Sequence, residues 1–251
     1  KPLEQRGNYE TSRRVLQIIN QVFRYAVITG RAKHNIAADL RGALRPRKTI
    51  HRAAVLEPEK VGQLLRDIDA YEGYFPLICA LKLAPLVFTR PTELRAAQWK
   101  EFDLEAGEWR IPAERMKMRR QHLVPLSRQA MTILQELQKY SGEGTYLFPS
   151  IRTEVRPISD ATMLNPLRRM GYQKHEMSVH GFRSIASTLL NELGYNRDWI
   201  ERQLAHGEQD EVRAAYNYAE YLPERRKMMQ AWADYLDGLR NTQQKRSREE
   251  A

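Results

Sequence analysis

Val15, Ile18, Ile19, Val22, Phe23 and Ala26 recur at three- and four-residue intervals. That spacing predicts an amphipathic helix ending near Gly30, with a shorter helix over 36–44 behind it. Two helices enclose little core, so residues 1–45 read as the closing part of a small helical domain. The stretch ALRPRKTIHRAAV, 43–55, has no apolar period and one proline, and it predicts a basic linker over 46–55.

From Leu56 the pattern lengthens. Pro58 opens a helix to about Asp69, and the apolar run FPLICALKLAPLVF at 75–88 predicts a central buried helix. RPTELRAAQW predicts the next. EWRIPAERMKMRRQHLVPLS, 108–127, has two short alternating runs around a basic tip, which suits a β-hairpin, and YLFPS offers a third strand. Ser127 is placed to cap a helix bearing Ile133, Leu134 and Leu137. Further helices are predicted over 160–170, 180–193, 196–205, 210–219 and 223–237, with Gly171 and Gly194 as stops. The tail from 240 is charged and poor in apolar residues, which predicts disorder over 240–251. The fold class is therefore mainly α with a small antiparallel β-sheet, the larger domain spanning 56–239.

Charge changes this picture, because its excess is local. The chain of 251 residues carries a net +10. Residues 1–52 hold twelve Lys and Arg against three Asp and Glu, a net of +9, and the remainder is balanced at +1. Such a segment suits a polyanion, with nucleic acid the first candidate and a solubilising surface the plain alternative. The longest apolar run is broken by Lys82 and Pro85, so no membrane span is predicted. The single cysteine, Cys79, lies in that run and reads as a core residue. The chain opens at Lys1 without methionine or signal peptide and reads as a piece of a longer protein.

Enzyme signatures built on phosphate loops or metals are missing. There is no GxxxxGK[ST], so SGEGTY at 141–146 is an ordinary loop, and no HExxH, paired CxxC or EF-hand loop occurs. The candidate chemistry is cationic. In VHGFRSIAS, 179–187, His180 and Arg183 share one flank of a helix entry whose stripe is Phe182, Ile185, Ala186, Leu189, Leu190 and Leu193. An imidazole beside a guanidinium suits an anion. Arg90 stands at another helix entry, Lys117 at the basic hairpin tip, His206 in QLAHGE, and Tyr216 and Tyr218 in RAAYNYAEYL. Each has a structural reading as well: Arg90 pairing with Glu93, Lys117 as a solvated charge, His206 capping a helix end, the tyrosines half-packed.

The ordered set TRPTEL, hairpin lysine, HGFR, LAH and a tyrosine ten residues beyond that histidine resembles the tyrosine recombinases of the phage integrase type. The resemblance runs from about Leu56 to Leu239 and more weakly over 8–48, and it is closest to integrases of satellite prophages and genomic islands. It implies a catalytic domain at 56–239 preceded by part of a helical core-binding domain. It implies also that Arg90 and Arg183 clamp the scissile phosphate of DNA, and that His180 and His206 add hydrogen bonds and assist proton transfer. Lys117 would be the general acid and Tyr216 the nucleophile forming a 3′-phosphotyrosyl bond. Arg45, Arg47, Lys48, Arg115, Arg119 and Arg120 are candidate phosphate contacts. The implied partners are double-stranded DNA attachment sites, a homotetramer on DNA, and DNA-bending or excision accessory proteins. No metal or nucleotide cofactor, no membrane and a cytoplasmic, nucleoid-bound setting complete the expectation.

Two rivals stand beside it. A type IB topoisomerase uses the same clamp to nick and close one strand, and a catalytically silent regulator keeps only the DNA-binding fold. A further expectation concerns the helix at 223–237, whose Met228, Met229, Trp232 and Leu236 are read as an exposed stripe that docks on a neighbouring subunit.

Overall fold

The computed structural model describes residues 2–40, 42–45, 53–206 and 221–249, the last seven as backbone only. Contacts divide the chain into two units, Lys1–His51 and Arg52–Ala251. In the first, α1 (Pro2–Gln5) leads into α2 (Tyr9–Ile28), the helix that the apolar period predicts. Instead of a second helix over 36–44 there is a single 3₁₀ turn, Ala38–Leu40. Gly42, with φ of +89°, turns the chain out of helical geometry directly after it.

The second unit is built around one helix. In α4 (Phe75–Val87) the apolar residues occupy every face, and Leu77, Cys79, Ala80, Leu81, Leu83, Ala84, Leu86 and Val87 are all buried. A helix apolar all round has to be enclosed. It packs against α3 (Pro58–Asp69), α6 (Arg128–Ser141), α7 (Asp160–Arg169), α8 (Gly181–Glu192) and α10 (Leu222–Glu249). The short helices α5 (Pro91–Arg95) and α9 (Arg197–Gln203) complete the set. Several helices begin where sequence chemistry places them: Pro58 and Pro76 sit at first-turn positions, and the Ser127 hydroxyl accepts the Ala130 N–H of α6.

The predicted hairpin is present as β2 (Glu108–Ile111) and β3 (His122–Pro125), paired antiparallel with Trp109 opposite Val124 and Ile111 opposite His122. Its third strand is not YLFPS but β1 (Phe102–Asp103), fixed by Phe102 stacked on Trp109 at 5.1 Å between ring centroids. The YLFPS backbone is engaged elsewhere: Leu147 donates to the Ala97 carbonyl, and the Phe148 carbonyl accepts from Ile158. Its end forms a separate two-stranded sheet, β4 (Pro149–Ser150) with β5 (Thr153–Pro157).

Three other expectations change. Residues 46–52 of the predicted linker lie outside the described residues, while Ala54 and Val55 pack on the core and so belong to the larger unit. The predicted disordered tail is helical to Glu249, because NTQQKRSRE contains helix-tolerant residues and no glycine or proline to end α10. The largest correction concerns that helix itself. Met228, Met229, Trp232 and Leu236 are buried in this chain's own core, with exposures of 1% or less, and the Trp232 indole donates to the Pro85 carbonyl at 2.8 Å. The stripe closes the core over α3 and α4, so these four residues are not free to dock on a neighbouring subunit. Periodicity identifies an apolar stripe but cannot say which helix covers it. Gly62 marks how closely α3 approaches α10, since a Cβ there would lie 2.5 Å from the Leu239 carbonyl oxygen.

Candidate functional site

The site grows from the C-terminal end of α4. Phe88 adopts left-handed backbone, φ of +35°, and turns the chain so that Arg90 becomes the N-cap of α5. The Arg90 backbone N–H donates to Glu93 Oε2 and its guanidinium to Glu93 Oε1, both at 2.8 Å. Glu93 is buried, so its carboxylate holds Arg90 in one rotamer. The pairing that sequence reading offered as the plain alternative is thus real, and it orients the arginine. A second Arg90 nitrogen donates to the Ala205 carbonyl at 3.1 Å.

Arg183 arrives from the first turn of α8 and is only 4% exposed. It donates to the Phe88 carbonyl at 2.9 Å and the Leu204 carbonyl at 2.7 Å. The two arginines therefore share both neighbours: the 88–90 segment and the 204–206 turn. That turn is a Schellman closure of α9, with Ala205 N–H bonded to the Arg202 carbonyl and His206 N–H to the Glu201 carbonyl. Its left-handed position is usually glycine but here is Ala205, φ of +49°. The absence of glycine hid the motif in the sequence. The conformation turns successive carbonyls, of Leu204 and Ala205, toward the two guanidinium groups.

His206 completes the turn. Its Nδ1 lies 2.7 Å from Glu201 Oε2 and its Nε2 3.3 Å from the Arg183 guanidinium. A guanidinium can only donate, so in this arrangement Nε2 accepts and Nδ1 carries the proton toward Glu201. The hydrogen bond from His206, with the neighbouring charges of Arg197 and Arg183, holds the Glu201 carboxyl below its ordinary value. Glu201 was missed by sequence reading, because its spacing to His206 matters only once the Schellman turn folds the chain back.

His180 is the half-buried N-cap of α8. The loop that delivers it is held by Arg168, which donates to the carbonyls of Tyr172 (2.7 Å) and Met177 (3.0 Å), and by the Tyr172 hydroxyl on Asp67 at 2.6 Å. Gly181 is required there, since a Cβ would come within 2.7 Å of the Ala53 carbonyl oxygen.

Lys117 is exposed in the loop between β2 and β3, directly after the buried Met116. It lines a cavity of about 430 Å³ together with Arg90, Met116 and Arg119. Arg119 and Arg120 are exposed on the same loop. Arg115 lines the same cavity, half-buried, paired with the Glu101 carboxylate and donating to the Glu93 carbonyl at 2.6 Å. Its contacts brace the hairpin base against α5. Arg45 belongs to the other unit, where its N–H donates to Glu4 at 2.9 Å. Tyr216, Tyr218, Arg47 and Lys48 lie outside the described residues.

Beneath the site runs a polar network that no sequence signal announced. His122, Gln203 and Arg225 are buried together, with His122 Nε2 3.1 Å from the Gln203 carbonyl oxygen. Burial, with the charges of Arg225, Arg202 and Arg183, lowers the His122 imidazole to about 3, so it is neutral. Left-handed backbone at non-glycine residues occurs, among the described residues, at Phe88, Arg119, Ala205 and Tyr221. The first three flank Arg90, Lys117 and His206, and the fourth follows the segment bearing Tyr216. Strain of this kind concentrates where geometry serves chemistry. Among the described residues no group of three His, Cys, Asp or Glu side chains could hold a metal ion, and no helix is long and apolar enough to cross a membrane. What converges is two guanidinium groups, an imidazole and a lysine-bearing loop, an arrangement that fits a phosphoryl anion.

Comparison with known proteins agrees with this arrangement. The profile of the phage integrase family matches residues 54–222, and that of the phage integrase central domain matches residues 1–43. The integrase of Enterobacteria phage P4 is 42% identical over 256 residues, covering 96% of this chain and 58% of that protein. Prophage integrase IntA of Escherichia coli (strain K12) is 40% identical over 237 residues, covering 94% of this chain and 57% of that one. The chain thus spans about three fifths of the length of the curated relatives it matches. Among solved structures, a lambda integrase (75–356) dimer bound to a COC′ core site aligns with a TM-score of 0.64 at 19% identity, covering 82% of this chain and 76% of that one. At that identity the likeness establishes the fold: a tyrosine recombinase catalytic domain, mainly helical with small antiparallel sheets.

Proposed function

The chain belongs to the phage integrase family, and from that premise we propose that it is a site-specific DNA recombinase that cleaves and rejoins DNA for integration or excision of a prophage or genomic island. The observation that carries this reading is the shared turn. Arg90 and Arg183 donate to successive carbonyls of residues 204–205, and His206 of the same turn faces Arg183. One rigid element thereby aims three groups at a single anion.

The chemistry follows from the charge of the substrate. A phosphodiester repels nucleophiles, and attack builds further charge on the equatorial oxygens of phosphorus. Arg90 and Arg183 stabilise that charge without having to reorganise, because Glu93 and the turn carbonyls already orient them. His180 and His206 add hydrogen bonds to the phosphate and assist proton transfer, and Glu201 orients the His206 ring through Nδ1. The Tyr216 hydroxyl gives its proton to an imidazole of the site and attacks phosphorus, the P–O5′ bond breaks, and Lys117 gives its proton to the departing 5′ oxygen. The 3′-phosphotyrosyl bond keeps the energy needed to rejoin strands. Arg115, Arg119 and Arg120, with Arg45, Arg47 and Lys48 of the basic N-terminal segment, contact the DNA backbone, and Arg115 also braces the hairpin. Assembly as a tetramer on two attachment sites, with accessory DNA-bending proteins, belongs to the same reading.

Covalent capture tests it. The chain is incubated in EDTA with a random-sequence pool of nicked duplexes, and denaturant-resistant protein–DNA adducts are collected and sequenced. Adducts are expected with wild type and with Tyr218→Phe, and none with Tyr216→Phe. Binding without adducts in all three proteins would refute the cleavage chemistry.

A further inference from the structure

Arg225 is 1% exposed in the first turn of α10, and among the described residues its side chain reaches two other elements. Its guanidinium donates to the Leu123 carbonyl of β3 at 2.5 Å and, through two nitrogens, to Gln203 Oε1 at 2.6 and 3.2 Å. Gln203 ends α9 and is fully buried, and its own backbone carbonyl is bonded by His122, the first residue of β3. A buried guanidinium is a costly way to join elements, since apolar residues of similar volume often serve stability as well or better. What the charge supplies is direction: a fork fixed on two acceptors sets the register of two elements at once.

Both elements lead to the site. β3 is the strand that returns from the Lys117 loop, five residues after Lys117, and α9 runs directly into the 204–206 turn, with His206 three residues after Gln203. The turn is held from its other side by Arg90 and Arg183, whereas β3 meets α9 through His122 and Arg225. Loss of the Arg225 fork therefore releases the β3 side first.

We propose that Arg225 is a positioning residue for the proton-donating step: it sets the Lys117 loop at its working distance from the phosphate clamp. The inference rests on the reading of Lys117 as general acid. Removing Arg225 then displaces the proton donor while the arginine clamp stays assembled. The defect should fall on departure of the 5′ oxygen, not on phosphate binding.

Replacing the bridging 5′ oxygen of the scissile phosphate by sulfur isolates that step. The tyrosyl O–P bond still forms, but the P–S bond breaks to a thiolate that leaves without a proton. Single-turnover cleavage of the oxygen and sulfur forms of a captured duplex is compared for wild type, Lys117→Ala, Arg225→Gln and Arg225→Lys. Lys117→Ala calibrates the assay by losing cleavage of the oxygen form and regaining it with sulfur. Arg225→Gln is expected to slow the oxygen form about thirtyfold and the sulfur form less than about threefold, a partial loss of the roughly 10²–10⁴-fold that a general acid contributes. Arg225→Lys keeps the charge without the fork, so it should show the same pattern more weakly, and it carries the test if the glutamine variant does not fold. The ratio of the two rates is unaffected by the fraction of protein that is active. Equal slowing of both forms in the Arg225 variants, with Lys117→Ala restored by sulfur, would overturn the positioning role alone. Wild type without adduct, or Lys117→Ala not restored, would overturn the reading of the site and the role of Arg225 with it.

Discussion

His122 offers a test of the buried network that can be worked to a magnitude. Its imidazole is held neutral at about 3 by burial first and then by Arg225, Arg202 and Arg183, against an ordinary value of 6.5. The unfolded chain therefore binds a proton that the folded chain refuses, and stability rises with pH across that window. The contribution is complete above 6.5 and is lost progressively as the pH falls toward about 3. Each pH unit inside the window is worth about 1.4 kcal/mol, so moving from about pH 7.5 to about pH 5 should cost the protein about 2 kcal/mol through this residue alone. The depressed Glu201 carboxyl acts lower, below its ordinary 4.5, and does not confuse the interval. The perturbation is His122→Gln, whose amide can still donate to the Gln203 carbonyl but does not titrate in this range. Urea unfolding at the two pH values is expected to show a slope in wild type that is flatter by about 2 kcal/mol in the variant. An unchanged slope would refute the claim that His122 is buried neutral between β3 and α9.

Two further outcomes follow from contacts elsewhere in the larger unit. Glu93→Gln keeps the shape of the Arg90 partner but removes its charge, and a loosened Arg90 should slow covalent adduct formation about a hundredfold while gel-shift affinity changes less than about threefold; an equal fall in both would show that Glu93 serves binding alone. Trp232→Ala empties a fully buried site and orphans the Pro85 carbonyl, for an expected cost of about 3–5 kcal/mol in urea melts that does not vary with protein concentration; a concentration-dependent cost would mean that a neighbouring chain supplies the helix.

Much of the architecture was legible because it is local. The all-apolar run at 75–88 had to be an enclosed helix, Pro58 and Ser127 announced helix starts, and alternation around a basic tip announced the hairpin. Arg90, Lys117, His180, Arg183 and His206 could be singled out by residue type and order. Their convergence was not legible, since it depends on a Schellman turn that lacks the glycine by which such turns are recognised. Glu201 escaped notice for the same reason. The 36–44 helix gave way at a left-handed glycine, and the end of YLFPS pairs with β5 instead of joining the hairpin sheet because its backbone has other partners.

The sequence by itself determined which segments have an apolar face, where most helices begin and which cations are available, because these depend on neighbours within a few positions. Only the tertiary structure decided which cations point outward. Arg115 and Arg120 stand in one basic stretch, yet the first is half-buried and paired with Glu101 while the second meets solvent. Arg225 and Arg226 are adjacent, yet the first is buried between β3 and α9 while the second reaches Glu108 near the surface. The fate of each charge is settled by carbonyls and carboxylates far away in the chain, and those take their places only when α4 is enclosed and the core closes.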